Sequence, residues 1–182
     1  MPALVAPLPP PSGSPLVVRE ASGAEVDRAG EVVATAYLAD GLASERYAVR
    51  LRDSRERARA GRLVVAVRPD GEVVGTATYA RAGSPLAELC RTDPDGAEVR
   101  MLGVLPSARR RGVAEALVAW CVSAARADGA RRLLLSTQVD MHAAQRLYAR
   151  LGFTRRSDLD WTPELGVQLL GLQLDLSAGR ED

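Results

Sequence analysis

The sequence predicts a mixed α/β fold, and three observations support that prediction. Hydrophobic residues make up 47% of the 182 residues and charged residues 26%, a balance typical of a globular chain with a buried core. Short apolar runs rich in β-branched residues alternate with longer stretches in which apolar residues recur every three or four positions. Turn residues separate the two kinds of stretch. We therefore expect about seven strands and four helices in a single domain.

The N-terminal half opens with a proline-rich segment. Six of the 11 prolines fall within residues 1–15, which predicts a disordered tail, and the segment lacks the basic residues that begin a secretory signal. Apolar spacing through Val26, Ala29 and Val33 indicates the first helix. The elements predicted after the tail are a strand at 16–19, helices at 23–38 and 44–60, and strands at 63–67 and 73–79 joined by a turn at 69–71.

The C-terminal half contains the more regular elements. Gly129 and Gly152 are natural ends for two helices whose apolar residues fall on one face. The predicted elements are a loop at 81–96, a strand at 97–104, a turn at 106–111, a helix at 112–128, a strand at 132–136, a helix at 141–151, and strands at 153–156 and 166–176. We expect the domain to span residues 16–176, with a C-terminal tail at 177–182.

Composition argues against several classes of protein. The net charge is +1, and the 24 basic residues, all arginine, are balanced by 23 acidic ones, so neither a nucleic acid nor a membrane is an expected partner. Apolar runs are too short to cross a bilayer. Cys90 and Cys121 are far apart and the chain has a single histidine, His142, so no metal site is expected and the thiols are interpreted as buried and free. A cytoplasmic location follows as an expectation.

A basic, glycine-bearing turn lies between the strand at 97–104 and the helix at 112–128. The turn contains three consecutive arginines followed by Gly112 and, two residues on, Ala114, which are small enough for backbone to approach a ligand closely. Free amides and the positive end of the helix dipole favour a phosphate at such a helix start. The residues alone therefore predict an anion site.

This turn closely resembles motif A of the GCN5-related N-acetyltransferase (GNAT) superfamily, an Arg/Gln-x-x-Gly-x-Gly/Ala pattern after the fourth strand. The segment 144–153, with Tyr148 and Gly152-Phe153, is similar to a second hallmark of that family. The resemblance covers roughly residues 16–176. It implies the acyl-CoA N-acyltransferase fold: a mixed, mostly antiparallel twisted sheet in which strands 4 and 5 splay apart.

The resemblance also implies how acetyl-CoA would be held, as a co-substrate and without a metal. The end of the fourth strand would bind the pantetheine arm through backbone groups, the amide of Val104 would serve as an oxyanion donor, and the turn would hold the pyrophosphate. The implied contact residues are Leu102, Gly103, Val104, Arg109, Arg110, Arg111, Gly112, Val113 and Ala114. Met141 departs from the asparagine that many members carry there, which puts one side-chain contact in doubt.

Two residues are implied to be catalytic. Glu98 matches the position of a general base in several members, and Tyr148 that of the acid that protonates the departing thiolate. The alternative for Glu98 is an ion pair with Arg100 on the same strand face. The alternative for Tyr148 is an aromatic side chain that packs in the core.

The acceptor is less well defined. Tyr37, Arg46 and Tyr47 lie in the early helices that cap the acceptor cleft in this superfamily, and Trp161, in a predicted loop, is either a lid over the core or a wall of that cleft. The implied function is transfer of acetyl from acetyl-CoA to a primary amine by direct attack in a ternary complex. The alternative is a non-catalytic acyl-CoA-binding module. Polyamines, amino acids, aminoglycoside-like compounds and protein N-termini stay open as acceptors, and a homodimer is compatible with the sequence.

Overall fold

The computed structural model describes residues 16–164 and 166–177. The tail predicted at 1–15 lies outside the described residues, as do residues 178–182 of the predicted C-terminal tail. Eight strands and five α-helices are present in the described part. They are β1 (Val17–Glu20), α1 (Glu25–Ala39), α2 (Glu45–Arg52), α3 (Ser54–Ala60), β2 (Arg62–Val67), β3 (Val73–Arg81), β4 (Gly96–Val104), α4 (Val113–Ala127), β5 (Arg132–Gln138), α5 (His142–Arg150), β6 (Thr154–Arg155), β7 (Trp161–Glu164) and β8 (Val167–Asp175).

The strands form one mixed sheet in the order β1-β2-β3-β4-β5-β8-β6, with β7 paired to β8. Every pairing is antiparallel except that of β4 with β5. The parallel pair is short: it joins Gly96–Val99 to Arg132–Leu135 and then stops, although β4 continues to Val104 and β5 to Gln138. The mostly antiparallel sheet with splayed fourth and fifth strands is therefore confirmed.

A β-bulge lies where the two strands separate. Thr76 pairs with Gly103 and Thr78 with Arg100, so β4 carries one residue more than β3 over this stretch. Met101 within it has φ 50°, a left-handed conformation that a non-glycine residue adopts only when its surroundings enforce it. Because bulges bend a strand and increase its twist, this one accounts for the divergence of β4 from β5.

Helices cover both faces of the sheet. The main core lies between α4 and one face and includes Val64, Leu117 and Leu135; α1 covers the other face through Ala29 and Val32. Glycines allow the close approach: a Cβ on Gly75 would lie 2.7 Å from a Val113 methyl group in α4. On the opposite face, a Cβ on Gly103 would lie 3.1 Å from Cα of Val33 in α1. Through these contacts α4 sits directly on β3, and α1 sits directly on β4, one of the two strands of the splay.

Two local predictions need correction. The helix predicted at 44–60 is two helices, because Asp53 adopts ψ 71° and breaks the chain between α2 and α3. The buried Ser54 hydroxyl then bonds the carbonyl of Val26, which ties the break to α1. Trp161 begins strand β7, where the sequence predicted a loop; four residues with a proline inside give too short a pattern for a strand prediction.

None of the helices in the described ranges is long and apolar enough to span a membrane.

Candidate active site

The separation of β4 from β5 opens a cavity of about 300 Å³, which we term the central cleft. Residues from both faces of the sheet line it, since the gap between the strands passes through the sheet. Side chains from α1, α2, β4, β5, α5, β7, β8 and the loop before β4 contribute. The lining residues are Tyr37, Leu42, Tyr47, Arg50, Glu88, Glu98, Val99, Arg100, Met101, Leu102, Leu135, Ser136, Gln138, Met141, Tyr148, Trp161, Pro163, Val167 and Leu169.

Glu98 is a buried carboxylate in β4 at the start of this cleft. Its residue is 2% exposed, and its Oε2 accepts a hydrogen bond of 2.8 Å from the amide of Leu89. Burial raises the pKa of the Glu98 carboxyl to about 7, against the opposing influence of Arg100 and the Leu89 amide. A carboxylate with a pKa near neutrality can take up a proton at the pH at which amines must lose one.

Arg100 lies two residues farther along the same face of β4. Its Nε is 3.8 Å from Oε1 of Glu98, and its Nη1 is 3.4 Å from Oε2 of Glu88 and donates to the carbonyl of Leu86 at 2.7 Å. The predicted proximity of Glu98 and Arg100 is therefore present, although the contact is long and does not outweigh the burial of Glu98. Sequence analysis missed Glu88, because it lies in an irregular loop whose path gives no periodic signal.

Tyr148 enters the central cleft from α5, on the side of the main core. The residue is 5% exposed and packs against Phe153 with ring centroids 5.7 Å apart. Burial raises the pKa of the Tyr148 phenol to about 12, so the hydroxyl carries its proton at neutral pH. Among the described residues no hydrogen-bond partner is assigned to this hydroxyl. The ring belongs to the core, as the alternative interpretation holds, and the side chain also lines the cleft.

A second cavity, of about 220 Å³, lies at the turn that precedes α4, and we term it the turn cavity. Arg110 and Gly112 have φ values of 57° and 76°, so two left-handed residues fold the chain tightly in front of the helix. The first intrahelical bond runs from the Ala116 amide to the Gly112 carbonyl. Backbone amides before Ala116 are therefore left without an acceptor in the helix and point towards its N-terminal end, the arrangement that binds anions.

Most of the residues implied to hold the pyrophosphate line the turn cavity. These are Arg109, Arg110, Gly112, Val113 and Ala114. Val104, implied to contact the pantetheine arm, also lines the turn cavity. Arg111 is exposed and is not among the residues that line either cavity. The Arg109 guanidinium forms a two-pronged ion pair with Asp40, at 2.7 and 2.9 Å, which ties the turn to the end of α1.

The end of β4 presents backbone groups towards the splay. Leu105 donates to the carbonyl of Val74 in β3 at 2.9 Å, so the neighbouring amide of Val104 points to the opposite edge of the strand. At that edge the pairing with β5 has already ended at Val99. Leu102 lines the central cleft and Val104 the turn cavity, whereas Gly103 faces α1. The strand edge therefore connects the two cavities.

Three predicted acceptor contacts lie in the central cleft: Tyr37, Tyr47 and Trp161. Ser44 caps α2 by accepting the Tyr47 amide at 3.2 Å, and the Trp161 indole N–H donates to the Ser136 hydroxyl at 3.2 Å. Arg46 is exposed and is not one of the lining residues; Arg50, one turn later in α2, lines the cleft instead. Sequence analysis missed Arg50, although the four-residue spacing from Arg46 could have suggested it.

The two cysteines and the histidine do not line either cavity. Cys90 and Cys121 are buried and free, and burial raises the pKa of each thiol to about 12. His142 is exposed at the start of α5. In the part of the chain that the structure describes, no group of three or more His, Cys, Asp or Glu side chains could hold a metal ion.

Comparisons with known proteins agree with this architecture. Residues 26–153 match the family model described as acetyltransferase (GNAT) family, whereas no curated protein matches the sequence. An acetyltransferase of the GNAT family from Staphylococcus aureus Mu50 is 14% identical, with a TM-score of 0.70 over 90% of this chain and 100% of that one. The structure of yncA from Salmonella typhimurium with its cofactor acetyl-CoA is 20% identical, with a TM-score of 0.65 over 93% and 98%. A ribosomal-protein-alanine N-acetyltransferase from Brucella melitensis is 21% identical, with a TM-score of 0.63 over 88% and 99%.

Proposed function

The chain belongs to the acetyltransferase (GNAT) family, and on this premise we propose that it transfers an acetyl group from acetyl-CoA to a primary amine by direct attack in a ternary complex. One observation carries the proposal. A cleft that passes through the sheet brings a buried carboxylate, Glu98, and a buried phenol, Tyr148, to the same cavity. That cavity adjoins a strand edge and a helix N-terminus with backbone amides to offer a ligand.

The residues present fit acetyl-CoA as a co-substrate. Its pyrophosphate would bind the amides of the turn from Arg110 to Ala114, which the α4 helix leaves without acceptors. Its pantetheine arm would lie along the β4 edge at Leu102 and Val104, where polar backbone groups face the gap left by β5. Bound in this way, the co-substrate supplies an activated acetyl thioester, and the Val104 amide would donate to the oxyanion that forms during attack.

Glu98 would act as the general base. An amine is mostly protonated at neutral pH, so a proton must leave before the nitrogen can attack. The ionised Glu98 carboxylate accepts that proton, directly or through water, and its raised pKa of about 7 makes it a stronger base than an ordinary glutamate. Arg100 and the Leu89 amide hold the carboxylate in place.

Tyr148 would act as the general acid. With a pKa of about 12, its hydroxyl is protonated at neutral pH and can donate to the thiolate that departs. The hydroxyl has no protein acceptor among the described residues, so it does not have to break an internal hydrogen bond before it can donate. Its ring is fixed by Phe153, which keeps the orientation constant.

The alternative function is a non-catalytic acyl-CoA-binding module. Such a module needs the turn cavity, but it gains nothing from a buried carboxylate that costs free energy to keep ionised in the central cleft. Calorimetric titration with acetyl-CoA measures binding, and release of free thiol in the presence of amines measures turnover. Binding with thiol release that depends on the amine supports the transferase; binding without release for any amine would leave only the binding module.

A further inference from the structure

The charged residues around the central cleft are unevenly paired. Arg100 is compensated by Glu88 at 3.4 Å and Glu98 at 3.8 Å. Arg50 lines the cleft from α2, and Arg57 is buried beside it on α3 and donates to its carbonyl. Neither guanidinium has a carboxylate within ion-pair distance among the described residues. Arg50 is therefore the lining cation of the cleft that no ion pair offsets.

Arg57 is the more unusual of the two. Its residue is only 3% exposed, and its Nη1 donates at 3.3 Å to the carbonyls of Arg50 and Asp53. Its Nε and Nη2 are buried without a hydrogen-bond partner. Burial lowers the pKa of Arg57, while Tyr47, Asp53, Tyr37 and Glu56 raise it. Both phenols therefore lie near the guanidinium, and the two carboxylates offset part of its charge from beyond ion-pair distance. A buried cation with unused donors is costly unless an anion approaches it.

Arg50 stands in front of Arg57 at the surface of the cleft. It lies in the last turn of α2, and Arg57 fixes its carbonyl, so the position of Arg50 depends on the buried guanidinium. Its side chain lines the central cleft with Tyr37 and Tyr47, and its guanidinium has no partner among the described residues. A guanidinium with unused N–H groups at the surface of a cleft is a suitable donor for a small oxyanion.

Resting on the proposed function, we infer that the acceptor is a small amine that carries a carboxylate, as a free amino acid does, and that Arg50 binds this carboxylate with Arg57 behind it. The ammonium group of the acceptor would then lie towards Glu98 and Glu88, on the β4 side of the cleft. Polyamines fit poorly, because their second cation would face Arg50. Trp161, Pro163 and Leu169 offer an apolar wall to the side chain of the acceptor.

Matched amines test the inference directly. Leucine is compared with leucinamide and isopentylamine, and phenylalanine with phenylalaninamide and phenethylamine, by thiol release from acetyl-CoA. We expect kcat/KM for a free amino acid to exceed that of its amide by roughly 10- to 100-fold. The amide is the less basic amine and is more often unprotonated, so intrinsic reactivity works against this result. Amides or decarboxylated amines that react as well as the amino acids would overturn the inference.

A variant pair tests the role of Arg50. Arg50→Gln should raise KM for the preferred amino acid roughly tenfold or more and leave KM for its amide unchanged. Arg59→Gln is the matched control, since Arg59 is exposed on α3, lies outside the lining of the cleft and changes the net charge equally. An unchanged KM in Arg50→Gln would overturn the assignment. Arg57→Gln can also disturb folding through the α2–α3 break, so the inference is judged on Arg50.

The same reagents separate this inference from the proposed function. No thiol release with any amine would refute the transferase. In that case, thermal shift of the CoA-bound protein still compares leucine with leucinamide, and a shift produced by leucine alone that Arg50→Gln abolishes supports the carboxylate site. If thiol is released at equal rates with amino acids and with their amides, the transferase proposal stands and the carboxylate site is refuted.

Discussion

The turn cavity and the central cleft adjoin each other but are built differently. The turn cavity takes most of its polar groups from one short segment, residues 109–115, and largely from its backbone, with Arg150 of α5 as an addition from elsewhere in the chain. The central cleft takes side chains from α1, α2, β4, β5, α5 and β7, which are far apart in sequence. A site made of backbone amides is sensitive to the shape of one turn, whereas a site made of converging side chains is sensitive to their chemistry. Substitutions in the turn cavity should therefore act by changing its shape, and those in the central cleft by removing a chemical group.

The largest effect is expected at the turn cavity. Gly112→Asp places a side chain and a negative charge where a phosphate would approach, so acetyl-CoA affinity measured by calorimetry should fall at least roughly 100-fold. The left-handed backbone of Gly112 strains any L side chain, but aspartate tolerates this conformation better than most residues, so the fold should persist with some loss of stability. Gly129→Asp is the control, because Gly129 at the other end of α4 has φ 75° against 76° for Gly112. Equal loss of affinity in both variants, or none in Gly112→Asp, would contradict the assignment.

The next effect concerns the base in the central cleft. Glu98→Gln should lower kcat by on the order of 100-fold and leave acetyl-CoA affinity unchanged. In the wild type, kcat should fall as the pH drops through about 7, because protonation of Glu98 removes the base. The variant should lose that acidic limb. Glu72→Gln, in a partly exposed ion pair with Arg68 away from both cavities, is a control. If the pH profile and rate of Glu98→Gln equal those of the wild type, Glu98 is excluded as the base.

A smaller change in kcat is expected at Tyr148. Tyr148→Phe removes only the hydroxyl and keeps the packing with Phe153, so kcat should fall on the order of tenfold with acetyl-CoA affinity nearly unchanged. Tyr79→Phe provides the contrast: its hydroxyl donates to Asp128 at 2.8 Å, away from both cavities, so stability should change and turnover should not. Full activity of Tyr148→Phe would show that the thiolate leaves without an acid.

Glu98 should also make the stability of the fold depend on pH, in a direction set by its raised pKa. Its folded-state pKa of about 7 lies above the ordinary value of about 4.3, so the folded state binds the proton more tightly. The free energy of unfolding should therefore fall as the pH rises from about 4.3 to 7. Relative to the wild type, Glu98→Gln should gain about 3 kcal/mol at pH 8 compared with pH 4, because each unit of pKa shift corresponds to about 1.4 kcal/mol. Denaturant titration measures this difference. A difference that does not vary with pH would contradict this origin.

The smallest effect is expected at the ion pair that ties the turn to the end of α1. Asp40→Asn breaks the ion pair with Arg109, which is partly exposed, so the free energy of unfolding should fall by less than about 1 kcal/mol. Acetyl-CoA affinity should stay within about twofold, because the turn binds through backbone amides. A large loss of affinity would mean that the Arg109–Asp40 pair sets the shape of the turn and couples α1 to the phosphate site.

Sequence determined much of the turn cavity and most of the strands and helices. The features of this turn are local: an arginine run, Gly112 and the helix that follows. Their spacing can therefore be recognised within a single segment of the sequence. Periodicity likewise gave most elements to within a few residues, since burial of one face imposes a period of two or 3.6. The prediction of one helix at 44–60 was wrong because its arginine-rich pattern gave no sign of the break at Asp53. Strand β7 was not predicted because four residues are too few to show a period.

Several lining residues of the central cleft were predicted from the sequence, but tertiary structure alone decided which other side chains meet them. Glu88 comes from an irregular loop and Arg50 from α2. Arg57, which donates to the Arg50 carbonyl, comes from α3, and the sequence had predicted these two helices as one. The raised pKa of Glu98 and the unused donors of Arg57 result from burial by residues distant in the chain. Local pattern reports which face of an element is buried, but not which polar side chains from other elements meet there. Their meeting depends on the β4 bulge and the early end of β4–β5 pairing, which are properties of the assembled sheet.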